Sequence, residues 1–290
     1  MKNILQTLTS LKIVSKSTVE IFSTKTRDNS DCKVFRDKVS GVLYITQYDD
    51  KQTEDYKKGS YKTLDDPQIH ANYKKIDDVE RRIFEYKKYY VNKDICDVGC
   101  GSGLFLQSAM INAKSVSGVE IQENYLDLLN SNKITSFKSI QKHSKAFDTV
   151  FMFHTLEHIS DPMSLLKSVK NSLQKSNGKV VIEVPHANDF LISSLADQQF
   201  IDFTLWSKHL VLHTRNSLRL MLEAAGFSNV IIQGVQRFPL SNTLTWLSKS
   251  KPGGHETNLS MIDSPELHNA YENCLRKIDE TDTLVAVASI

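Results

Sequence analysis

The sequence Asp94-Ile-Cys-Asp-Val-Gly-Cys-Gly-Ser-Gly-Leu-Phe105 decides the fold of this chain of 290 residues. Apolar residues broken by one carboxylate precede three glycines at alternate positions, and an apolar segment of helical character follows. This order predicts a strand, a tight turn and the start of a helix. Because glycine has no Cβ, the backbone at Gly99, Gly101 and Gly103 can turn sharply and approach a ligand. We therefore expect a small molecule at this turn.

The glycine spacing and two carboxylates indicate which ligand binds. Dinucleotide-binding turns follow the pattern G-x-G-x-x-G, and here Leu104 stands where that pattern places its third glycine. Asp97 would repel a pyrophosphate and attract a cation. The β-branched segment Ser115–Ile121 contains Glu120, about 17 residues past Gly103, near the offset at which an acidic residue accepts ribose hydroxyls. A ribose and a cation together predict S-adenosylmethionine.

Three motifs resemble those of the class I S-adenosylmethionine-dependent methyltransferases. The first is Asp97–Gly103 and the second is Gly118-Val-Glu120. The third, Phe147–Pro162, is similar to the fourth-strand motif of the small-molecule branch, which includes ubiquinone-pathway O-methyltransferases. The motifs occur in the right order over roughly residues 77–226. The resemblance implies an α/β fold with a Rossmann-like, doubly wound, seven-stranded sheet and an antiparallel terminal hairpin.

The resemblance also implies which residues bind the cofactor. Asp97 and the glycine turn would hold the methionine portion, Glu120 the ribose, and His154 the flank of the cofactor. The predicted cofactor-binding residues are Asp97, Gly99, Cys100, Gly101, Gly103, Glu120, Ile121, Phe153 and His154.

The composition bears on the protein's partners. Lys and Arg number 36 against 34 Asp and Glu, which leaves a net charge of +2 with the signs mixed along the chain. No stretch is built for a polyanion, so we predict a small-molecule acceptor and no nucleic-acid partner. The oligomeric state is left open by the sequence.

Cysteine usage and hydropathy bear on the compartment. The four cysteines form no CxxC pair, so the sequence predicts neither a disulfide framework nor a zinc ribbon and fits a reducing cytoplasm. The first residues lack the continuous apolar region of a signal peptide, and no segment approaches the length of a membrane span. We predict a cytoplasmic protein with no membrane insertion.

The chain divides into an extension and a catalytic domain. Residues 1–75 form a predicted N-terminal extension with a β-hairpin, followed by a polar connector, residues 47–73, which is either a solvated linker or a lid. The linker interpretation is favoured. Residues 76–290 form the predicted methyltransferase domain, in which the insertion 236–280 precedes the last strand and covers the acceptor site.

An amphipathic helix is predicted at the start of the catalytic domain. Apolar residues recur at helical spacing over Ile76–Tyr90. Arg81 and Arg82 lie on this helix, and we expect them to face solvent or to brace the lid, with an anion-binding role as the alternative.

Histidines flank the predicted strands at the edge where catalysis is expected. They are His154, His158, His186, His209 and His213. Because the unperturbed pKa of histidine suits a base at neutral pH, His158 and His209 are the candidate catalytic bases. A structural hydrogen-bonding role is the alternative for His158. Their spacing matches no standard zinc pattern, so we predict no metal site.

Two further resemblances concern the acceptor. Trp206–Arg215 resembles a segment of bacterial methyltransferases from surface-polysaccharide gene clusters, and Val235–Leu244 with Lys251–Glu256 looks like their tail. This likeness implies O-methylation of a sugar or of a phosphorylated or nucleotide-linked surface-glycan precursor. The predicted acceptor-binding residues are His186, His213, Arg237 and His255.

Other functions stay open at this point. An N- or C-methyltransferase of a small metabolite, a nicotinamide-dependent oxidoreductase and a catalytically inactive cofactor-binding subunit would share the sheet. A nucleic-acid methyltransferase is disfavoured, because the fourth strand leads into Phe153–His158 and not into an Asn/Asp-Pro-Pro-aromatic turn.

Overall fold

The computed structural model describes residues 4–46, 70–142 and 146–290. Its strands are β1 (Val19–Ser23), β2 (Val34–Asp37), β3 (Leu43–Ile45), β4 (Asp94–Val98), β5 (Ser115–Val119), β6 (Thr135–Phe137), β7 (Thr149–Phe153), β8 (Lys179–Pro185), β9 (Val211–Leu212), β10 (Ser228–Val235) and β11 (Thr283–Ser289). Its α-helices are α1 (Ile4–Ser10), α2 (His70–Glu85), α3 (Lys87–Tyr90), α4 (Leu104–Ala109), α5 (Glu123–Ser131), α6 (Pro162–Asn171), α7 (Gln198–Thr204), α8 (Arg215–Ala224), α9 (Leu240–Lys249) and α10 (Pro265–Ile278).

Seven of the described strands form one sheet in the order β10-β11-β8-β7-β4-β5-β6. Strand β11 runs antiparallel to both β10 and β8, whereas β8, β7, β4, β5 and β6 run parallel. The predicted doubly wound sheet with its antiparallel terminal hairpin is therefore confirmed. Strand β5 lies on one side of β4 in the sheet, whereas β7, which comes later in the chain, lies on the other side of β4. Such a reversal opens a crevice at the carboxyl ends of the strands, where ligands bind in this class of fold.

Local sequence signals explain the helix ends around this crevice. Helix α6 begins with Pro162 after Asp161, whose Oδ1 accepts a hydrogen bond from the Ser164 amide at 3.1 Å. Helix α8 starts with a capping box between Thr214 and Ser217. The left-handed glycine predicted after this helix is present as Gly226, with a φ angle of +91°.

The N-terminal strands form a second sheet in the order β1-β2-β3-β9. The predicted hairpin is present, because β2 and β3 pair antiparallel, with Phe35 opposite Tyr44. Strand β3 also pairs with β9, with Leu43 opposite Leu212. The extension thus shares a sheet with the catalytic part of the chain. The division at residue 75 stays a prediction, and the polar connector lies almost wholly outside the described residues.

Arg81 and Arg82 do not face solvent, which corrects that part of the expectation, whereas the predicted lid lies almost wholly outside the described residues. Both guanidinium groups bind Glu183 of β8, with Nη2 of Arg81 at 2.8 Å and Nη2 of Arg82 at 2.6 Å from its carboxylate oxygens. The hydroxyl of Tyr86 donates to the same carboxylate at 2.6 Å. Burial alone would raise the pKa of Glu183, but Arg82 and Arg81 outweigh it and hold that pKa well below its usual range. Helical periodicity gives no sign of this buried carboxylate, because its partner strand lies far along the chain.

The structure also bears on membrane insertion and on the cysteines. Within the described residues, every helix is too short or too polar to cross a bilayer. Cys32, Cys96, Cys100 and Cys274 are all free thiols, which agrees with the prediction of no disulfide framework.

Candidate active site

The glycine turn joins β4 to α4 at the carboxyl edge of the sheet. Its three glycines have positive φ angles of +77° at Gly99, +54° at Gly101 and +75° at Gly103. A Cβ at Gly99 would lie 2.4 Å from Oγ1 of Thr155, whereas a Cβ at Gly101 would have no described atom within 4 Å. Gly99 therefore packs against protein, and Gly101 faces open space in which a ligand can approach the backbone.

The carboxyl group of Asp97 is buried close to this turn. Asp97 is 4% exposed, and its Oδ1 accepts no hydrogen bond from any described residue. Burial raises the pKa of Asp97 to about 8; Arg82 opposes this rise, and Glu120 and Glu183 add to it. A cationic ligand would supply the counter-charge that this carboxyl group lacks.

Glu120 lies directly after β5 and is hydrogen-bonded to the glycine turn. Its Oε2 accepts a hydrogen bond from the Gly101 amide at 2.9 Å. Its Oε1 accepts from the amides of Ile121 at 2.6 Å and Gln122 at 3.0 Å. A carboxylate has about four acceptor positions, so these three bonds leave capacity for one further donor.

The end of β7 is fixed against the glycine turn. The Thr155 hydroxyl donates to the Val98 carbonyl at 3.0 Å, and the His154 amide donates to the Glu183 carbonyl at 2.9 Å. His154 has a φ angle of +48°, which is rare for a residue other than glycine. Phe153 is 8% exposed. The structure thus brings the predicted cofactor residues of β4, β5 and β7 to one edge of the sheet.

A cavity of about 300 Å³ lies at the same edge and includes His154 in its lining. Asp189 and Arg237 contribute polar groups to this lining. The insertion contributes Phe238, Trp246 and others, so it forms part of the cavity wall. The main apolar groups of the wall are Phe190, Leu191, Phe200, Phe203, Phe238 and Trp246. This cavity therefore suits a small molecule with an apolar body.

Glu157, His158 and His209 form a cluster that also lines the cavity. One possible ligand atom from each lies within 4.8 Å of the others. Nδ1 of His158 lies 2.8 Å from the Lys208 carbonyl oxygen, so this nitrogen carries the hydrogen and Nε2 carries the lone pair. Burial lowers the pKa of His158 to about 4, although the bond to Lys208 opposes the fall. The imidazole is therefore neutral near pH 7.

Glu157 is the member of this cluster that sequence reasoning missed. It is fully buried, and neither carboxyl oxygen accepts a hydrogen bond from the residues that the structure describes. Burial raises its pKa to about 8. Its position in the sequence could have indicated a role in the site, since Glu157 directly precedes His158 in the loop that follows a buried strand.

Two of the four predicted acceptor-binding residues, Arg237 and His255, lie in the insertion. Arg237 lines the cavity, and its Nε donates to Oδ1 of Asp78 at 3.1 Å. His255 packs on Phe238 with ring centroids 5.7 Å apart, outside the cavity lining.

His186 and His213 are not brought to the cavity, which corrects the expectation that they contact an acceptor. Both are buried, at 1% and 0% exposure. Nδ1 of His186 lies 2.9 Å from the Thr281 carbonyl oxygen, and Nδ1 of His213 lies 3.0 Å from the Ser217 hydroxyl. A backbone β-bridge joins His186 to His213, and both side chains lie in the core.

A family described as "Methyltransferase domain" matches residues 68–231, more than half of the chain. The chain belongs to this methyltransferase family. The match covers every strand and loop that carries the cofactor crevice. The prediction of S-adenosylmethionine as the cofactor is confirmed. The buried carboxyl group of Asp97 and the open backbone at Gly101 fit a ligand of this charge.

Similar proteins agree with this membership. The ubiquinone biosynthesis O-methyltransferase of Hydrogenovibrio crunogenus is 26% identical over 131 residues, which is 41% of this methyltransferase and 54% of that protein. The tRNA U34 carboxymethyltransferase of Nautilia profundicola is 30% identical over 103 residues, covering 32% of this chain and 34% of that one. The chain thus spans about half or less of these relatives.

A solved structure shows the same fold. A SAM-dependent methyltransferase from Archaeoglobus fulgidus superposes with a TM-score of 0.51 at 21% identity, covering 73% of this methyltransferase and 93% of that chain. At this identity the comparison supports the architecture alone.

The first prediction concerns Glu120. Replacing it with alanine is expected to weaken binding of S-adenosylmethionine about 10- to 100-fold, because a charge-assisted hydrogen bond of about 1.5–3 kcal/mol would be lost. Isothermal titration calorimetry measures the effect. The exposed Glu123, which pairs with Lys138, serves as a control, and its alanine variant is expected to bind normally. Unchanged affinity in Glu120→Ala would remove the ribose assignment.

Proposed function

We propose that this protein transfers a methyl group from S-adenosylmethionine to a hydroxyl oxygen of a small acceptor bound in the cavity. One observation carries the proposal: His154 and Thr155 stand between the glycine turn and the cavity. Thr155 packs against Gly99, while His154 lines the cavity. A cofactor in the crevice would therefore face an acceptor in the cavity across a short distance.

The predicted cofactor residues receive roles in this proposal. Asp97 offers its carboxyl group to the positive charge of the methionine portion, and Glu120 offers its remaining acceptor position to the ribose. Ile121 is 37% exposed beside Glu120 and can cover the adenine. Cys100 and Phe153 complete the wall.

The chemistry needs both alignment and removal of a proton. When bound, S-adenosylmethionine supplies a sulfonium methyl group, so that a C–O bond forms as the C–S bond breaks and a neutral thioether leaves. The chain must hold the acceptor oxygen in line with that bond and exclude water. The hydroxyl proton must also leave, and the cluster of Glu157, His158 and His209 is the place in the cavity where it can do so.

The walls of the cavity favour an acceptor with a flat apolar ring. Phe200 and Phe203 both pack against Trp246, with ring centroids 5.2 and 5.1 Å from that of the indole. Aromatic rings stack well on such surfaces. A phenolic hydroxyl, with a pKa of about 10, is also readily ionised. The similarity to a ubiquinone biosynthesis O-methyltransferase supports a phenolic acceptor.

The expected surface-glycan precursor is the rival acceptor, and a labelling experiment separates the two. Purified protein is incubated with methyl-labelled S-adenosylmethionine and, separately, with dihydroxybenzenes, nucleotide sugars and tRNA. We expect label in the phenols. Label in nucleotide sugars would restore the sugar acceptor, and label in tRNA would overturn the prediction that no nucleic acid is a partner.

The second prediction concerns His209. Replacing it with asparagine is expected to lower the rate of methyl transfer about 10²–10⁴-fold, because proton removal from the acceptor is impaired. Affinity for S-adenosylmethionine should stay within about twofold of the wild type, because His209 lies on the acceptor side. The matched control is His268→Asn on α10, outside the cavity lining, which should transfer normally. Full activity of His209→Asn would remove this role.

A further inference from the structure

We infer that Glu157, His158 and His209 bind one divalent transition-metal ion of the zinc type. The inference starts from the ligand atoms. One atom from each residue lies within 4.8 Å of the other two, and all three residues line the cavity. Two imidazoles and one carboxylate form the set found in catalytic zinc sites, where the fourth position stays open for water or substrate. Small side-chain rotations would close these atoms to the roughly 3.4 Å separations of tetrahedral ligands.

The hydrogen-bonding state of two side chains points to a ligand. Both carboxyl oxygens of Glu157 are buried, and none of the described residues donates a hydrogen bond to either. Nδ1 of His209 is likewise buried and lacks a hydrogen-bond partner in the described chain. Buried polar atoms are almost always satisfied in native proteins, so three such atoms on two residues of one cluster call for a bound group. A cation bound between the two residues would supply that group.

The surroundings orient these side chains. The Lys208 carbonyl accepts a hydrogen bond from Nδ1 of His158 at 2.8 Å, so Nε2 carries the lone pair that would bind a metal ion. The indole of Trp206 packs edge-on against both imidazoles, with centroids 5.8 Å from His158 and 5.3 Å from His209. The Leu210 amide donates to the Glu157 carbonyl at 2.8 Å and joins the two segments that carry the ligands.

The nearby arginine does not prevent cation binding. Arg237 shares the cavity, but its guanidinium group forms an ion pair with Asp78. Nδ1 of His154 lies 3.5 Å from Oε1 of Glu157 and adds another nitrogen close to the proposed site. Because imidazole nitrogens suit zinc and similar ions, whereas Mg²⁺ prefers oxygen ligands, selectivity for Zn²⁺ over Mg²⁺ is expected.

The role of the ion rests on the proposed function, whereas the site itself does not. In methyl transfer the ion would bind the acceptor oxygen and lower the pKa of its hydroxyl, so that the proton passes to solvent before the C–O bond forms. His158 and His209 would then act as ligands and not as proton acceptors. Binding of the ion needs no acceptor, so the site can be tested alone.

The test is calorimetric titration of chelator-treated, dialysed protein with ZnCl₂ and, separately, with MgCl₂. We expect saturable binding of one Zn²⁺ per chain, and affinity for Mg²⁺ at least about 100-fold lower. Glu157→Gln and His209→Asn should each weaken Zn²⁺ binding by at least about 10-fold, whereas His268→Asn should bind as the wild type. Circular dichroism verifies that each variant is folded.

Addition of Co²⁺ gives an independent readout. A protein-bound Co²⁺ ion with these ligands is expected to show visible absorption bands that disappear in Glu157→Gln. Absence of one-to-one Zn²⁺ binding in the wild type, or unchanged binding in both folded variants, would overturn the inference. Either result would leave methyl transfer through a histidine base intact, so failure of the site and failure of the proposed function are distinguishable.

Discussion

Raising the pH from 6 to 8 is expected to tighten S-adenosylmethionine binding by about 50-fold. Burial raises the pKa of Asp97 to about 8, so below this pH the carboxyl group is mostly protonated and neutral. A cationic ligand binds the ionised form, and ionisation therefore costs about tenfold in affinity for each pH unit below the pKa. Above pH 8 the affinity should level off. Calorimetric titrations at intervals of half a pH unit measure this dependence.

Asp97→Asn provides the control for this dependence. The amide cannot ionise, so the variant should bind weakly at pH 8 and show little change between pH 6 and pH 8. A change that persists in the variant belongs to the cofactor or to another residue. A flat profile in the wild type would show that Asp97 does not face the positive charge of the cofactor.

Replacing Glu183 with glutamine is expected to lower the free energy of unfolding by about 3–5 kcal/mol at pH 7, because a buried charge pair loses one partner. The variant leaves the guanidinium groups of Arg81 and Arg82 without the carboxylate that both bind. Urea unfolding followed by circular dichroism measures the loss. Glu223→Gln is the matched control, since Glu223 is 49% exposed and pairs loosely with Arg219 at 3.8 Å. We expect less than about 1 kcal/mol for that change.

The pH dependence of this loss has a definite sign. The pKa of Glu183 is depressed in the folded chain, so its stabilising contribution is present above the pKa of an unfolded glutamate, about 4.3, and declines as the pH falls below that value. The difference between wild type and variant should be constant from about pH 6 to pH 8 and shrink below about pH 4. Equal stability at pH 7 would show that the arginines are satisfied without Glu183.

The position of the predicted cofactor residues at one edge of the sheet could be predicted because its signals are local. Asp97, the glycine turn and Glu120 lie on or directly after two consecutive strands, and strand-turn-helix units form wherever such a pattern occurs. The parallel sheet then brings the strand ends to one edge. The same logic placed His154 and His158 correctly after β7, because the loop after a strand must start at that edge.

Predictions that depended on contacts between distant parts of the chain were corrected by the structure. The sequence predicts Arg81 and Arg82 on a helix but not the carboxylate that they bind, which lies 101 residues beyond Arg82. His186 and His213 lie in loops next to predicted strands, as His209 does, yet both are buried in the core, where a backbone β-bridge joins them. Residue type alone does not distinguish these environments.

The sequence by itself determined the fold class and the cofactor, because both follow from periodicity and turn chemistry within short segments. Only the tertiary structure decided which polar groups meet in the cavity. His209 lies some 50 residues after Glu157 and His158, and these three side chains converge because the segment before β9 pairs with the loop after β7. Such a contact depends on how buried surfaces fit together, which no spacing along the chain encodes.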